Sequence, residues 1–190
     1  MKRDHVVFGG IAGVLGGILV PLFAGLPAKL LGLTDRLFYD FAMALILYNP
    51  QKEIIDYMVG ILAHVTNSAI LGVILSGVIY FTSAKYQLFK GFGMGITVWL
   101  VFTVMGTLFR MPLFTNIPPN AALVTYFTSA LWGVTSAYIL AVLNARFSEE
   151  KEGLKGIKVK NLIKIGATSN PALKPTSRKR QYPKKLKRFS

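Results

Sequence analysis

His64 is the one ionisable side chain well inside an apolar stretch of this sequence. Taking such a group into hydrocarbon is costly, so it has to be paired or used. Counting equal rises along the neighbouring apolar stretches brings Thr103, Thr128 and Ser129 to a similar depth, with Asn67, Trp99 and Trp132 in a layer nearer the midplane. These residues predict a buried polar cluster of His64, Asn67, Ser68, Thr103 and Ser129 between the second, third and fourth stretches. Two chemistries suit it. One is structural, a set of interhelical hydrogen bonds worth about 0.6–2 kcal/mol each. The other is a site that handles protons or a solute. The indole N–H groups of Trp99 and Trp132 also need acceptors, which Asn67 or the nearby hydroxyls can supply.

Other constellations carry less. Asp35, Asp40 and Asp56 gather near one mouth of the chain's apolar spans with Arg36 and Arg110. Paired carboxylates can do acid–base work, but no nucleophile, ligand set or oxyanion hole accompanies them, so they read as solvated or paired loop charges. The absence of Cys excludes a disulfide, a thiolate-bound metal and a cysteine nucleophile, and two His are too few for a His-based metal site. The glycines of the first stretch lie inside an apolar run with no Lys-Ser/Thr after them, which excludes a phosphate-binding loop. No enzyme and no cofactor is expected.

The elements that position these residues follow from hydropathy. The chain has 190 residues, 53% of them hydrophobic, a mean hydropathy of +0.49 and yet a net charge of +14. That combination suits apolar spans and a basic segment in different parts of one chain. Residues 6–26, 57–82, 91–109 and 121–145 contain no Asp, Glu, Lys or Arg, and each suffices to cross hydrocarbon, which takes roughly 20 residues. Lys2 and Arg3 give the first stretch the look of a signal peptide, but it is too long and lacks a small-x-small cleavage site, so it reads as a retained span. The fold predicted is an all-α, polytopic four-helix bundle, with a membrane domain over 1–147 and a basic, largely disordered tail over 148–190. Residues 34–48 form a shorter helix, with Thr34 or Asp35 as its cap, lying along the interface or tucked against the bundle. A fifth span is the competing reading of that segment.

Charge sets the orientation, because Lys and Arg beside a span resist translocation. With four spans, one side holds 18 Lys/Arg and 4 Asp/Glu, and the other holds 4 of each. The whole excess lies on one face, which predicts that both termini are cytoplasmic.

Helix contact inside a bilayer relies on small residues that let backbones approach. Gly9, Gly13 and Gly17 stand at four-residue spacing in the first span; Ser68, Gly72 and Ser76 do so in the second, Gly91 and Gly95 in the third, and Ser129, Gly133 and Ala137 in the fourth. They serve packing within one bundle, or, in the alternative, the first stripe forms a homo-oligomer seam. The second and fourth spans also match each other: NSAILGV from Asn67 and TSALWGV from Thr128, offset by 61 residues. The first and third share GxxxG at an offset of 82. Together these predict two tandem hairpins related by an axis along the membrane normal.

The fragments HVTNSAILGVILSGVIY, KGFGMGITVWLVF, RMPLF and LWGVTSAYILAVL resemble the small four-span bacterial inner-membrane proteins of the YqhR and YagU type, over roughly residues 6–145. The resemblance implies a bundle in a bacterial cytoplasmic membrane and no particular activity. Some such relatives place a His in both hairpins; here His64 fills the first place and Thr125 the second.

From Lys151 to Ser190 the chain carries 13 Lys/Arg and one Glu. So charged a segment cannot bury enough apolar area to offset its ordering entropy. Residues 155–165 are the exception expected, a short amphipathic piece. Arg178, Lys179, Arg180, Lys184, Lys185, Lys187 and Arg188 form the densest run, between which Tyr182 is interleaved. Anionic lipid headgroups are the partner this charge favours, at about 1 kcal/mol per residue; nucleic acid such as ribosomal RNA, or no specific partner, are the alternatives. The sequence thus predicts a non-enzymatic structural or interaction protein of the membrane. The rival is a small transporter or channel component using the layer around His64.

Overall fold

Proline at position 21 has no N–H, so the carbonyl of Gly17 loses the donor it would meet four residues on. The chain absorbs this without breaking. In the computed structural model, which describes residues 5–47, 50–51 and 53–169, with side chains through 147, helix α1 (His5–Val20) passes through a π-helical turn at Pro21–Gly25 into α2 (Leu26–Leu30). The wider turn is closed by Leu26 N–H on the carbonyl of Pro21. A short helix α3 (Phe38–Leu47) follows, then α4 (Ile54–Thr82), α5 (Gln87–Leu108) and α6 (Pro119–Ser169). The described residues contain helices and turns and no strand.

Four helical stretches are long and apolar enough to cross a membrane: His5–Leu30, Ile54–Thr82, Gln87–Leu108 and Pro119–Phe147. Their outward surfaces remain apolar up to the ends, with Ile54 83% and Phe81 84% exposed. Such surfaces suit a hydrocarbon solvent. The small interior core is Ala12, Leu75, Ile79, Ala137 and Leu140, in which two of the five side chains are single methyl groups.

Local chemistry sets the ends. At the start of α4, Glu53 and Asp56 form a reciprocal capping box, with Asp56 accepting from Glu53 N–H at 3.3 Å. Helix α5 closes with Arg110 in the left-handed region (φ 50°), Met111 N–H on Gly106 O at 2.8 Å and Arg110 N–H on Thr107 O at 3.0 Å. That is the Schellman pattern, and Pro112 then prevents continuation.

One expectation needs correction. Neither Thr34 nor Asp35 caps α3. The helix starts at Phe38, and Asp40 reaches back to accept from Leu37 N–H at 2.8 Å. Thr34 instead closes a local turn, accepting from Arg36 N–H at 3.1 Å and donating to Arg36 O at 2.9 Å. A hydroxyl two residues from a free N–H competes well with a helix cap further on. At ten residues α3 reaches only about 15 Å, half of a hydrocarbon crossing. Its Phe41, Met43 and Ala44 are buried, and Gly60 of α4 is where a Cβ would collide with Met43 and the carbonyl of Tyr39. The helix is tucked against the bundle.

The second unit, Ser148–Ser190, is described as helix through Ser169, where composition alone predicts disorder from 148. Between Pro119 and Pro171 there is no proline to stop a helix once started. The predicted lipid-binding run from Arg178 to Arg188 lies outside the described residues.

Candidate intramembrane site

The glycine stripes build the frame of the site. A Cβ on Gly9 would meet the carbonyl of Gly72 and the Cβ of Ser76, each at 2.7 Å, and one on Gly13 would strike Ser68 O and Gly72 Cα. A Cβ on Gly17 would run into the side chain of Ser68. The first stripe is therefore spent on α4 of the same chain rather than left on a free face. In the second pair of spans, a Cβ on Gly91 would meet Gly133 O and the Cβ of Ala137, and one on Gly95 would strike Ser129 O and Ala130 Cα. Offsets of 82 and 61 carry the first set of contacts onto the second, residue by residue: Gly9 to Gly91, Gly13 to Gly95, Gly72 to Gly133, Ser76 to Ala137. The two hairpins pack by one rule.

One step further along each hairpin, that rule yields a polar contact. His64 Nε2 lies 3.0 Å from the carbonyl of Gly17. A carbonyl only accepts, so Nε2 carries the proton in this bond. The acceptor is the carbonyl that Pro21 deprived of its helical partner. Phe38 of α3 stacks on the imidazole, with ring centroids 5.9 Å apart and planes 13° from parallel. The equivalents of Gly17 and His64 in the second hairpin are Trp99 and Thr125. There Trp99 Nε1 donates to Thr125 Oγ1 at 3.0 Å. The large ring and the small residue have exchanged helices, and the hydrogen bond has kept its place.

Four other polar side chains also bond to backbone. Ser129 Oγ donates to Gly95 O at 2.8 Å, bridging α6 and α5. Trp132 Nε1 donates to Gly13 O at 3.3 Å, tying α6 to α1. Thr125 and Thr128 return their protons to the carbonyls of Ala121 and Val124, both at 2.7 Å. Among the described residues, none of the five predicted cluster members bonds to another. The expected knot is corrected to a set of parallel ties. A helix interior offers carbonyls at every turn, and short hydroxyls reach those before they reach a side chain on another helix.

All five nonetheless share one space. His64, Asn67, Ser68, Thr103 and Ser129 line a partly open cavity of about 90 Å³, together with Thr125 and Thr128. Most of its wall is apolar, including Phe38 and Phe41 of α3, Trp99 and Phe102 of α5, Phe114 and Trp132. The connection after α5 closes over it: Phe41 and Phe114 meet edge-on at 4.9 Å. Arg36 donates to Leu113 O at 2.8 Å and to Asn116 O at 3.1 Å, pinning that connection to the start of α3.

Asp35, Asp40 and Asp56 are occupied in structural roles. Asp35 pairs with Arg36 at 3.4 Å and Asp40 with Lys29 at 3.7 Å, while Asp56 caps α4. Among the described residues, no group of three or more His, Cys, Asp or Glu is placed to hold a metal ion. Sequence reasoning had Gly17 as a packing residue and Thr125 as the counterpart of His64, and missed that each accepts the hydrogen bond of a ring N–H. Both carried a signal: Pro21 four residues after Gly17, and the 61-residue offset from His64 to Thr125.

No family model, curated protein or solved structure matches this chain.

Proposed function

We propose that this chain is a non-enzymatic structural protein of a bacterial cytoplasmic membrane, in the manner of the YqhR and YagU type. Both termini lie in the cytoplasm, and the basic tail rests on anionic headgroups. The observation that carries the structural half is the use made of the intramembrane polar groups. His64, Ser129 and Trp132 each donate to a glycine carbonyl on a neighbouring helix. A proton path would instead need ionisable groups in series. The tail half rests on the charge count, since all of the +14 excess falls on the side that holds both ends.

The rival reading is a small transporter or channel component with the cavity as its pathway. It draws support from the fact that the cavity reaches His64. The lining offers no Asp, Glu, Lys or Arg, and its mainly apolar wall is poorly suited to a hydrated solute.

The test of the tail uses the full chain in nanodiscs, mixed with vesicles of 30% phosphatidylserine and then with neutral vesicles. Anionic vesicles should co-sediment at low salt and be released as ionic strength rises. Changing Arg178, Lys179, Arg180, Lys184, Lys185, Lys187 and Arg188 to Gln should abolish the difference. Equal capture by the substituted chain would refute the lipid role, and loss of capture in favour of RNA would transfer it to nucleic acid.

A further inference from the structure

The ties that hold the bundle leave three polar side chains of the cavity without a hydrogen bond among the described residues: the hydroxyls of Ser68 and Thr103, and the amide of Asn67, the largest of the three. Asn67 is half-buried and lines the cavity, and its amide makes no hydrogen bond with any described residue. It stands 13 residues into the 29-residue α4, about 20 Å from the helix start and so near mid-depth. An amide there has no water or headgroup to turn to, and leaving it bare is costly. Around it stand six aromatic side chains, including both tryptophans of the chain, and no Asp, Glu, Lys or Arg.

Three occupants differ in how well they meet that wall. A phospholipid chain matches the apolar surface but keeps its ester oxygens at headgroup level, far from Asn67. Waters would satisfy the amide and the Ser68 and Thr103 hydroxyls, but they would leave the six aromatic side chains of the mainly apolar wall without a matching partner. A neutral ring carrying a carbonyl satisfies both surfaces at once. It lays its faces on aromatic side chains and offers its oxygen to the amide at a depth where lipid offers none.

We propose that this cavity binds the head ring of a neutral, carbonyl-bearing membrane lipophile, the chemistry of a prenylated quinone. Asn67 Nδ2–H donates to the ring carbonyl, and the ring lies against Trp99 and Trp132. The volume of about 90 Å³ restricts the enclosed part to a single ring, so the isoprenoid chain leaves through the open side into lipid. The step is binding alone and moves no electrons. It does not depend on what the tail contacts.

The two tryptophans make the site self-reporting, since the sequence has no others. The full chain in dodecyl maltoside is titrated with decylubiquinone, and intrinsic fluorescence is followed beside tryptophan octyl ester in the same micelles. The proposal expects saturable quenching of the protein on top of the linear, collisional quenching that the ester shows. Removing the donor without changing size, in Asn67→Leu, should weaken the saturable phase about five- to tenfold, as for loss of one hydrogen bond. Decane in excess should leave most of that phase in place. Purely linear quenching of the unsubstituted chain, matching the ester, would overturn the site, and this outcome needs no variant to fold. Saturation that decane abolishes and Asn67→Leu leaves untouched would overturn the carbonyl assignment and make the cavity a hydrocarbon-chain site.

Discussion

His64 donates through Nε2 to the carbonyl of Gly17 at 3.0 Å, across 47 residues of chain, and the carbonyl it meets is the one that Pro21 leaves without a helical donor. The imidazole therefore stands in for a missing backbone N–H. A lone His inside a span has its cost offset by repairing a proline's defect, and the repair also fixes α4 against α1.

This relationship predicts a coupled pair of substitutions. His64→Ala should lower stability by about 1–2 kcal/mol, from the lost bond and the carbonyl left unmet. In a Pro21→Ala background residue 21 regains its N–H and Gly17 its normal partner. The same His64→Ala change should then cost distinctly less. A double-mutant cycle by reversible unfolding in mixed micelles measures the difference; equal costs in both backgrounds would refute the link between proline and histidine.

Glycines that look alike in sequence should behave in opposite ways. Gly13→Ala and Gly133→Ala each push a methyl group into a facing backbone, at Ser68 and Gly91, and should destabilise the bundle by about 1–3 kcal/mol. Gly93 has nothing within 4 Å of its would-be Cβ. Gly93→Ala should be neutral or stabilising by a few tenths to about 1 kcal/mol, because alanine has the higher helix propensity. Thermal unfolding of the three variants in one detergent separates the two classes.

How much of this was legible beforehand divides along the range of the interactions involved. The spans were readable because hydrocarbon thickness imposes a length and charge marks the ends. Four helices of the required kind are present, each shifted by a few residues as capping chemistry decided: Asp56 draws the start of α4 back to Ile54. The stripes were readable because close approach permits few residue types. The partners of His64 and Trp99 were not. Each bond depends on the register of two helices joined by a long connection, and a hydropathy pattern is indifferent to a rotation that swaps one carbonyl for the next. The internal offsets would have located Thr125 opposite Trp99, had they been followed one turn beyond the glycines.

The connection after α5 should be held by Arg36 rather than by its own turns. Arg36→Met keeps the length of the stem and removes both donors to Leu113 O and Asn116 O. Backbone amide exchange over 111–117 should quicken by about tenfold, with the middle of α4 unchanged. An unaltered exchange rate would assign the order of this segment to the Phe41–Phe114 contact alone.

The carboxylates of Asp40 and Asp56 should prove structural. Asp56→Ala removes one half of the capping box and should cost about 0.5–2 kcal/mol. Asp40→Ala should shorten α3 at its start by loss of the bond from Leu37 N–H. Circular dichroism and unfolding midpoints read both. An Asp56→Asn variant as stable as the parent would show that charge contributes nothing at that helix start.

The central claim is that electrostatics lays this chain across the membrane four times with its cationic excess on the inner side. The sequence has no cysteine, so single substitutions report position without background. Ser83→Cys and Asn116→Cys, placed in the two loops on opposite sides of α5, are exposed in turn to a membrane-impermeant maleimide on intact cells and on permeabilised ones. The account predicts labelling of Asn116→Cys from outside and of Ser83→Cys only after permeabilisation. Labelling of both from the same side, or the reverse pattern, would contradict it.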